Sequence, residues 1–481
     1  MRSTLVASSI AALALVAGVS SARAETIRIA IGTQDTTINT VHAGLVIREL
    51  KLLEKHLPHT GKYKDATYDI VWKNFTSGPP LNGEMLAGKL DLGALGDFPS
   101  ILNGVSHAKA GKRSVYVAAL SNSVHGAGNG IVVPVDSPVQ SLRDLKGKTI
   151  SVPFGSAAHA MLLRAIRDLG WDPERDVQIV SQAPEVGGTS LKSHKIDAHA
   201  DFVPFAELFP FRGFARKIYD GSTVKAPTSH GVVASGDFVD RYPELVVAYL
   251  EAVIEADRWI AADPERAAEL VYKVAGVDAE VVYLFHGPLA IQTRDVTIKP
   301  EVEKSLHIAL ETLTLLKRAD GPLDVERWID DRFIRQAARN SGLDYETRLK
   351  SYASVPLGGK DARTGDPIVD PKQAAEIWVA GEAKTRHYAT VASALVALGE
   401  LAAKGAKTRV VLVHDRETGI KLLADKVWFV VGAPAAKGKP AEIAALLTRD
   451  AADRWAKAHG GTVTTFDAAR GRAVTASVTR P

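Results

Sequence analysis

The chain alternates between the two hydrophobic periods that mark strands and helices. Thr26-Ile27-Arg28-Ile29-Ala30-Ile31-Gly32 places apolar side chains at every second position and stops at a glycine, the pattern of a half-buried strand. From residue 41 to 56 the positions Leu45, Ile47, Leu50 and Leu53 gather toward a core and predict a helix. A second strand is expected at 68–72. Ser77-Gly78-Pro79-Pro80 then opens a helix through Leu86, because proline's fixed φ suits a first turn. Short strands are expected at 90–94, 115–120 and 131–134. Strands alternating with helices imply a largely parallel sheet with ligand sites at the carboxyl ends of its strands.

A second unit starts near Asp136. Leu142-Arg143-Asp144-Leu145-Lys146-Gly147-Lys148 leads as a short helix and turn into a strand at 149–152, and Gly155-Ser156 precedes an apolar helix over 157–169. Strands are also expected at 177–180 and 198–203. From about Gly221 the chain returns toward the first unit, with long helices at 243–262, 264–275 and 302–318. Residues 344–372 carry Pro356, Gly358, Gly359, Gly365, Pro367 and Pro371 and read as a linker. The remaining residues return to strand and helix patterns, including 409–414 and 427–431. No tandem repeat is evident at periods of 20–50 residues.

The first 24 residues read as an address. Met1-Arg2 is followed by an apolar stretch from Leu5 to Gly18, and Ala22-Arg23-Ala24 fits a signal-peptidase site with cleavage before Glu25. The stretch falls short of the roughly 20 residues that span a bilayer. A soluble, periplasmic protein exported by a cleavable signal peptide is expected.

The 481 residues are 46% hydrophobic and 24% charged, which excludes fibrous and wholly disordered classes. The net charge of +4 is too small to argue for nucleic acid. Cysteine is absent, which removes disulfides, thiolate metal sites, cysteine nucleophiles and a lipidated N-terminal cysteine. His125, His159, His199 and His230 fall near predicted loops but lack tight i, i+4 spacing. No metal and no cofactor are expected.

Candidate chemistry sits at helix starts. Thr76-Ser77-Gly78 and Phe154-Gly155-Ser156-Ala157-Ala158-His159 each place backbone N–H groups and a positive dipole end toward a cleft, an arrangement that binds anions. Ordinary helix capping is the alternative reading of each. Gly96-Asp97-Phe98-Pro99 comes after a strand at the ligand edge, or is a simple turn.

In order, Asn74-Phe75-Thr76-Ser77-Gly78-Pro79-Pro80-Leu81, Gly88-Lys89-Leu90-Asp91-Leu92-Gly93, Gly96-Asp97-Phe98-Pro99, Leu142 to Lys148 and Gly155 to His159 resemble the aliphatic-sulfonate, taurine and nitrate group of periplasmic ABC-transporter substrate-binding proteins. The similarity runs from about 27 to 342. It implies a two-lobe α/β fold of the periplasmic-binding-protein type II, with mixed, mainly parallel sheets and a hinge between the lobes. Lobe one would hold 25–123 and 222–343, lobe two 124–221, the linker 344–372 and a small α+β domain 373–481. It also implies an oxyanion held by Ser77, Gly78, Ser156 and the Ala157 N–H, with Gly96, Asp97, Phe98, Gly155, His159 and Phe202 completing the site. Partners would be a small oxyanionic ligand and the permease and ATPase of an inner-membrane importer, with no nucleic acid and a monomeric state. Where sulfonate binders carry Trp-Asp-Pro-aromatic, this chain has Phe202-Val203-Pro204-Phe205. The acid is replaced by Val203, and His199 and Asp201 offer polar groups nearby.

Residues 373–471, through Ile377-Trp378-Val379, Asp415-Arg416-Glu417-Thr418-Gly419, Lys426 to Gly432 and Ala451 to Asp467, are similar to NosL-type accessory proteins of nitrous oxide reductase assembly. Those bind Cu(I) through Cys and Met. Here the only methionines are Met1, Met85 and Met161, so the copper site does not carry over, and docking or stability is the expected role. The expected function is therefore non-enzymatic solute binding for an ABC importer. The alternatives are a copper-linked accessory protein and an enzyme of the thiamine-pyrimidine-synthase type on the same fold.

Overall fold

A computed structural model describes residues 25–315, 323–351, 356–433 and 442–478. The expected signal peptide lies outside the described residues. No described helix is long and apolar enough to cross a membrane.

Four strands open the chain: β1 (Thr26–Thr33), β2 (Thr67–Asn74), β3 (Leu92–Gly96) and β4 (Ser114–Ser123). The chain then crosses to a second body with β5 (Gly130–Pro134), β6 (Thr149–Val152), β7 (Gln178–Ser181), β8 (Ala198–Asp201) and β9 (Ala215–Asp220). It returns to add β10 (Thr228–Ser235) and β11 (Thr293–Arg294) to the first sheet. The first sheet runs β11-β4-β10-β3-β1-β2 and the second β7-β6-β8-β5-β9. Both are mixed. β1 pairs parallel with β2 and β3, whereas β10 enters antiparallel between β3 and β4. In the second sheet β6 pairs parallel with β7 and β8, while β5 runs against β8 and β9. A strand that enters a lobe from the hinge must run opposite to those that end at the cleft, which is why a purely parallel arrangement fails here.

The two crossings, 124–129 and 221–227, touch through glycine. A Cβ on Gly221 would overlap the carbonyl oxygen of Gly126, and one on Gly126 (φ +85) would overlap the carbonyl of Ala226. The obstructing atoms are backbone, so no rotamer relieves the clash. Gly221→Ala is expected to cost about 1–3 kcal/mol of stability through this overpacking. A thermal melt identical to wild type would show that the crossings separate freely.

The lobes are closed on each other. From lobe two, Arg212 donates to Asp278 Oδ2 at 2.8 Å and to the Gly276 carbonyl at 2.8 Å. On another flank Arg164 donates to the Ile308 carbonyl at 2.9 Å and to Thr312 Oγ1 at 3.0 Å.

The helix expected over 41–56 is broken. A 3-10 turn at Ile38–Ala43 leads to helices Leu45–Leu50 and Leu52–His56, separated by Lys51 at φ 51. The left-handed residue turns the last segment so that adjacent Leu52 and Leu53 are both buried. The helix expected over 302–318 is Pro300–Leu315, and positions 316–318 lie outside the described residues. The stretch 344–372, expected as a linker, is packed at both described ends. Helix Tyr345–Lys350 buries Tyr345, whose hydroxyl accepts from the Ile298 N–H at 3.0 Å. Asp361 anchors the other end.

The remaining strands are β12 (Ala375–Val379), β13 (Arg386–Tyr388), β14 (Thr408–His414), β15 (Lys421–Leu423), β16 (Trp428–Ala433), β17 (Glu442–Leu446) and β18 (Thr462–Thr464). They reveal an internal duplication. β13-β12-β14 and β17-β16-β18 have the same antiparallel order, each with a helix, Val391–Ala403 or Arg449–His459, between its second and third strands in sequence. Each half is introduced by an aspartate turn. Asp361 Oδ1 accepts from the N–H of Arg363 and Thr364, and its Oδ2 from Ala389 N–H at 2.8 Å, just before the Thr390 helix cap. Asp415 does the same with Glu417, Thr418 and Leu447, just before the Thr448 cap.

This domain is seated on lobe one by a continuous core. Trp378, Val410, Leu412 and Leu423 belong to the same buried cluster as Tyr283 and Phe285 of helix Ala279–His286. Inside the seam Lys421 Nζ lies 2.7 Å from Glu376 Oε1, both fully buried, and Tyr283 donates its hydroxyl to Glu376 Oε2 at 2.8 Å. Arg409 lies over the Trp378 ring and pairs with Glu280 at 2.7 Å.

Candidate functional site

β1, β2 and β3 of lobe one and β6 and β8 of lobe two all end at the interlobe seam. Three helices start there: Gly78–Leu86, Asp97–Lys109 and Ala157–Asp168. The first N–H groups of a helix have no partner in its own turns, and its N-terminus carries roughly half a positive charge.

The seam is tight. A Cβ on Gly78 would meet Pro99 Cβ at 2.5 Å, which presses the Ser77-Gly78 loop onto the loop after β3. Gly155, at φ +80, lies against Pro79 and Leu102 of the opposite lobe, where a Cβ would come within 3.1 Å of Pro79 Cγ. Gly96 faces both Ala157 and His230. Ser77 is buried at the start of its helix without making a side-chain cap. Ser156 does cap its helix, accepting from the His159 N–H at 3.2 Å. The His159 ring stacks on Phe154 at 4.6 Å and meets the edge of Phe98 at 6.5 Å. Phe98 itself is core, packed with Leu81, Met85 and Leu95.

Asp97 is buried and hydrogen-bonded within the protein. Its Oδ2 accepts from Thr228 Oγ1 at 2.9 Å and Ser229 N–H at 3.1 Å, and its Oδ1 from Phe98 N–H at 2.7 Å. These bonds tie the β3 loop to hinge strand β10. Burial raises its pKa, and the three hydrogen bonds oppose that. Asp97 also borders an open recess of about 390 Å³ between Arg164, Asn129 and helix Pro300–Leu315.

Phe202, buried directly after β8, meets the edge of Phe205 at 5.7 Å. His199 and Asp201, expected to present polar groups beside it, face each other instead. His199 Nε2 lies 2.7 Å from Asp201 Oδ2, and Nδ1 lies 2.6 Å from Ser151 Oγ, all beneath helix Pro184–Lys192. The ring fits because Gly187 has no side chain above it. Among the described residues no group of three or more His, Asp and Glu side chains is placed to hold a metal ion.

Several cleft residues went unread in the sequence. Gln34 donates to the Ala94 carbonyl at 2.8 Å. Asn39 Nδ2 donates to Gln292 Oε1 at 2.5 Å, and Gln292 Nε2 to the hinge carbonyl of Ala127 at 2.7 Å. Ser121 Oγ shares a hydrogen bond with His230 Nδ1 at 3.1 Å. The signal for Gln34 was the polar run Gln34-Asp35-Thr36-Thr37 directly after β1, at the carboxyl end of a strand.

Two lobes joined by two glycine-lined crossings, with helix N-termini meeting between them, define a hinged two-lobe binding fold. That fold is shared with the alkanesulfonate-binding protein SsuA from Xanthomonas axonopodis pv. citri bound to MOPS, at 22% identity and a TM-score of 0.54 over 64% of this chain and 100% of that one. The model of the NMT1-like family matches residues 29–275, more than half of the chain, and the protein belongs to that family. An Escherichia coli (strain K12) protein named for aliphatic-sulfonate binding is 28% identical over 272 residues, 56% of this chain and 77% of the relative. The taurine-binding periplasmic protein of the same strain is 28% identical over 205 residues, 42% of this chain and 61% of its own length.

Proposed function

We propose that this protein is an exported solute-binding component of an ABC importer that holds a small sulfonate or related oxyanion between its lobes and delivers it to a permease. The observation that carries this reading is the meeting of three helix N-termini at the interlobe seam. Such a place stabilises a negative charge through backbone N–H groups and dipoles alone. The names of the sulfonate- and taurine-binding relatives support the ligand class and the periplasmic location. Closure over the ligand is the expected working motion, with lobe two swinging about the glycine crossings while the C-terminal domain stays on lobe one. Ser77 and Ser156 supply hydroxyl donors, and Gly78, Gly96, Gly155 and Ala157 supply backbone approach. His159 and Phe98 form an aromatic wall.

A thermal-shift series with ethanesulfonate, taurine, sulfate and nitrate tests the reading. A ligand at about 100 times its Kd adds roughly 2.7 kcal/mol of stability. Ser156→Ala is expected to weaken binding of the oxyanion that registers by about 1–3 kcal/mol, the loss of a buried hydrogen bond to a charged group. The same change removes a helix cap worth about 1 kcal/mol, so affinity is compared at a temperature where both proteins are folded. An unchanged Kd would remove Ser156 from the site.

A further inference from the structure

Val203 is a fully buried apolar residue of lobe two, and the opposite lobe brings polar groups to it. Gly128 of the hinge is the meeting point: a Cβ there would lie 2.6 Å from Gln292 Nε2 and 2.8 Å from Val203 Cγ1. Gln292 is fixed in orientation, because its Nε2 donates to the Ala127 carbonyl. Its Oε1 must therefore accept, and it does so from Asn39 Nδ2. This orientation leaves Asn39 Oδ1 as a fully buried acceptor with no hydrogen-bond partner. A buried polar atom of this kind costs about 1–3 kcal/mol until something donates to it. A chain of contacts links this place to the helix starts. Gly96, at the start of helix Asp97–Lys109, faces His230, which bonds Ser121, whose hydroxyl lies 3.5 Å from Gln292 Oε1.

We infer that Asn39, oriented by Gln292, is a specificity residue that selects an oxyanion whose tail carries an uncharged hydrogen-bond donor, a hydroxyl above all. An ammonium tail would be desolvated here without a carboxylate to balance it. Residue 203 is a valine, Asp201 is engaged by His199, Asp35 is paired with Arg48 at 3.0 Å, Asp220 with Lys217 at 2.6 Å, and Asp97 is taken up by Thr228, Ser229 and Phe98. A plain alkyl tail would leave Asn39 Oδ1 unpaired in the closed cleft. Sites built to bond a hydroxyl discriminate strongly against the analogue that lacks it.

This inference rests on the oxyanion reading, and calorimetric titration of the full chain with ethanesulfonate, 2-hydroxyethanesulfonate and taurine separates the two. The expected result is that 2-hydroxyethanesulfonate binds at least about fivefold more tightly than either of the others, the minimum for one added buried hydrogen bond. Asn39→Ala is expected to erase the difference between the hydroxyl and alkyl ligands, and Asn39→Asp to move the preference to taurine. Equal wild-type affinities for ethanesulfonate and 2-hydroxyethanesulfonate would overturn the Asn39 assignment while leaving oxyanion binding intact. A wild-type preference for taurine would overturn it as well. Absence of binding by all three would overturn the oxyanion reading and this inference together. The wild-type comparison decides even where an Asn39 variant fails to fold.

Discussion

Acidification from neutral pH toward 4 is expected to unfold this protein steeply, with several protons taken up in the transition. His42, His230 and His414 are pushed down to about 4, and His286 lies well below its ordinary value. Burial is the leading cause in every case. Arg294 adds to it at His42 and His286, while Asp257 pulls His42 partly back. The folded protein therefore keeps these rings neutral, whereas the unfolded chain protonates them near the usual 6.5. Stability is fully present above that value and is lost as pH falls from it toward about 4. Each ring contributes a slope of up to about 1.4 kcal/mol per pH unit, so four together approach about 5 kcal/mol per unit. That exhausts a typical stability of about 5–15 kcal/mol within one to three units. Urea unfolding between pH 7.5 and 4.5 measures the slope. A linkage of fewer than two protons would mean that water or rearrangement reaches these rings in the folded state.

Lys421→Met is expected to cost about 3–5 kcal/mol, the usual result of stranding one member of a buried ion pair. Burial alone would raise the Glu376 carboxyl, but the Lys421 ammonium beside it, together with His414 and His387, holds it below the carboxylate range. Burial also lowers Lys421, and Glu376 offsets this only in part. With the lysine gone, Glu376 keeps the Tyr283 hydroxyl as a donor but loses its countercharge. The seam joins the C-terminal domain to helix Ala279–His286, so the loss should appear as early melting of that domain. Lys421→Met with Glu376→Leu is expected to recover most of the stability, because no charge is then left in the seam. Calorimetry of the two variants checks both statements. A single variant as stable as wild type would mean that the pair is not ionised.

The lobes' elements were legible where one period dominates. β1 opens on an alternation of exposed and buried residues, and helices Pro243–Ala262 and Pro264–Ala275 carry a proline at the start and an apolar face. The break at Lys51 was not legible, because it is set by the need to bury Leu52 and Leu53 together and not by any breaker residue. At the seam, serine and glycine before a helix announced the helix starts locally. The Asn39–Gln292 pair could not be announced in that way, since its members are 253 positions apart and meet only in the folded lobe. His199 and Asp201 misled for a related reason. Alternate residues on one strand share a face, and that face proved to be the inner one, under Gly187. The duplication of the C-terminal domain was written in Asp361-Ala362-Arg363-Thr364-Gly365 and Asp415-Arg416-Glu417-Thr418-Gly419. Its spacing exceeds the periods usually scanned for repeats.

The firm seat of the C-terminal domain has a practical use in optical sensing. Because the chain contains no cysteine, any thiol introduced into it is a unique point for attaching a dye. Val186 on lobe two and Val369 beside the C-terminal domain are 53% and 82% exposed, so cysteines there would accept a donor and an acceptor fluorophore without disturbing the core. One dye would travel with lobe two and the other with lobe one, and energy transfer between them would report each opening and closing of the molecule in real time.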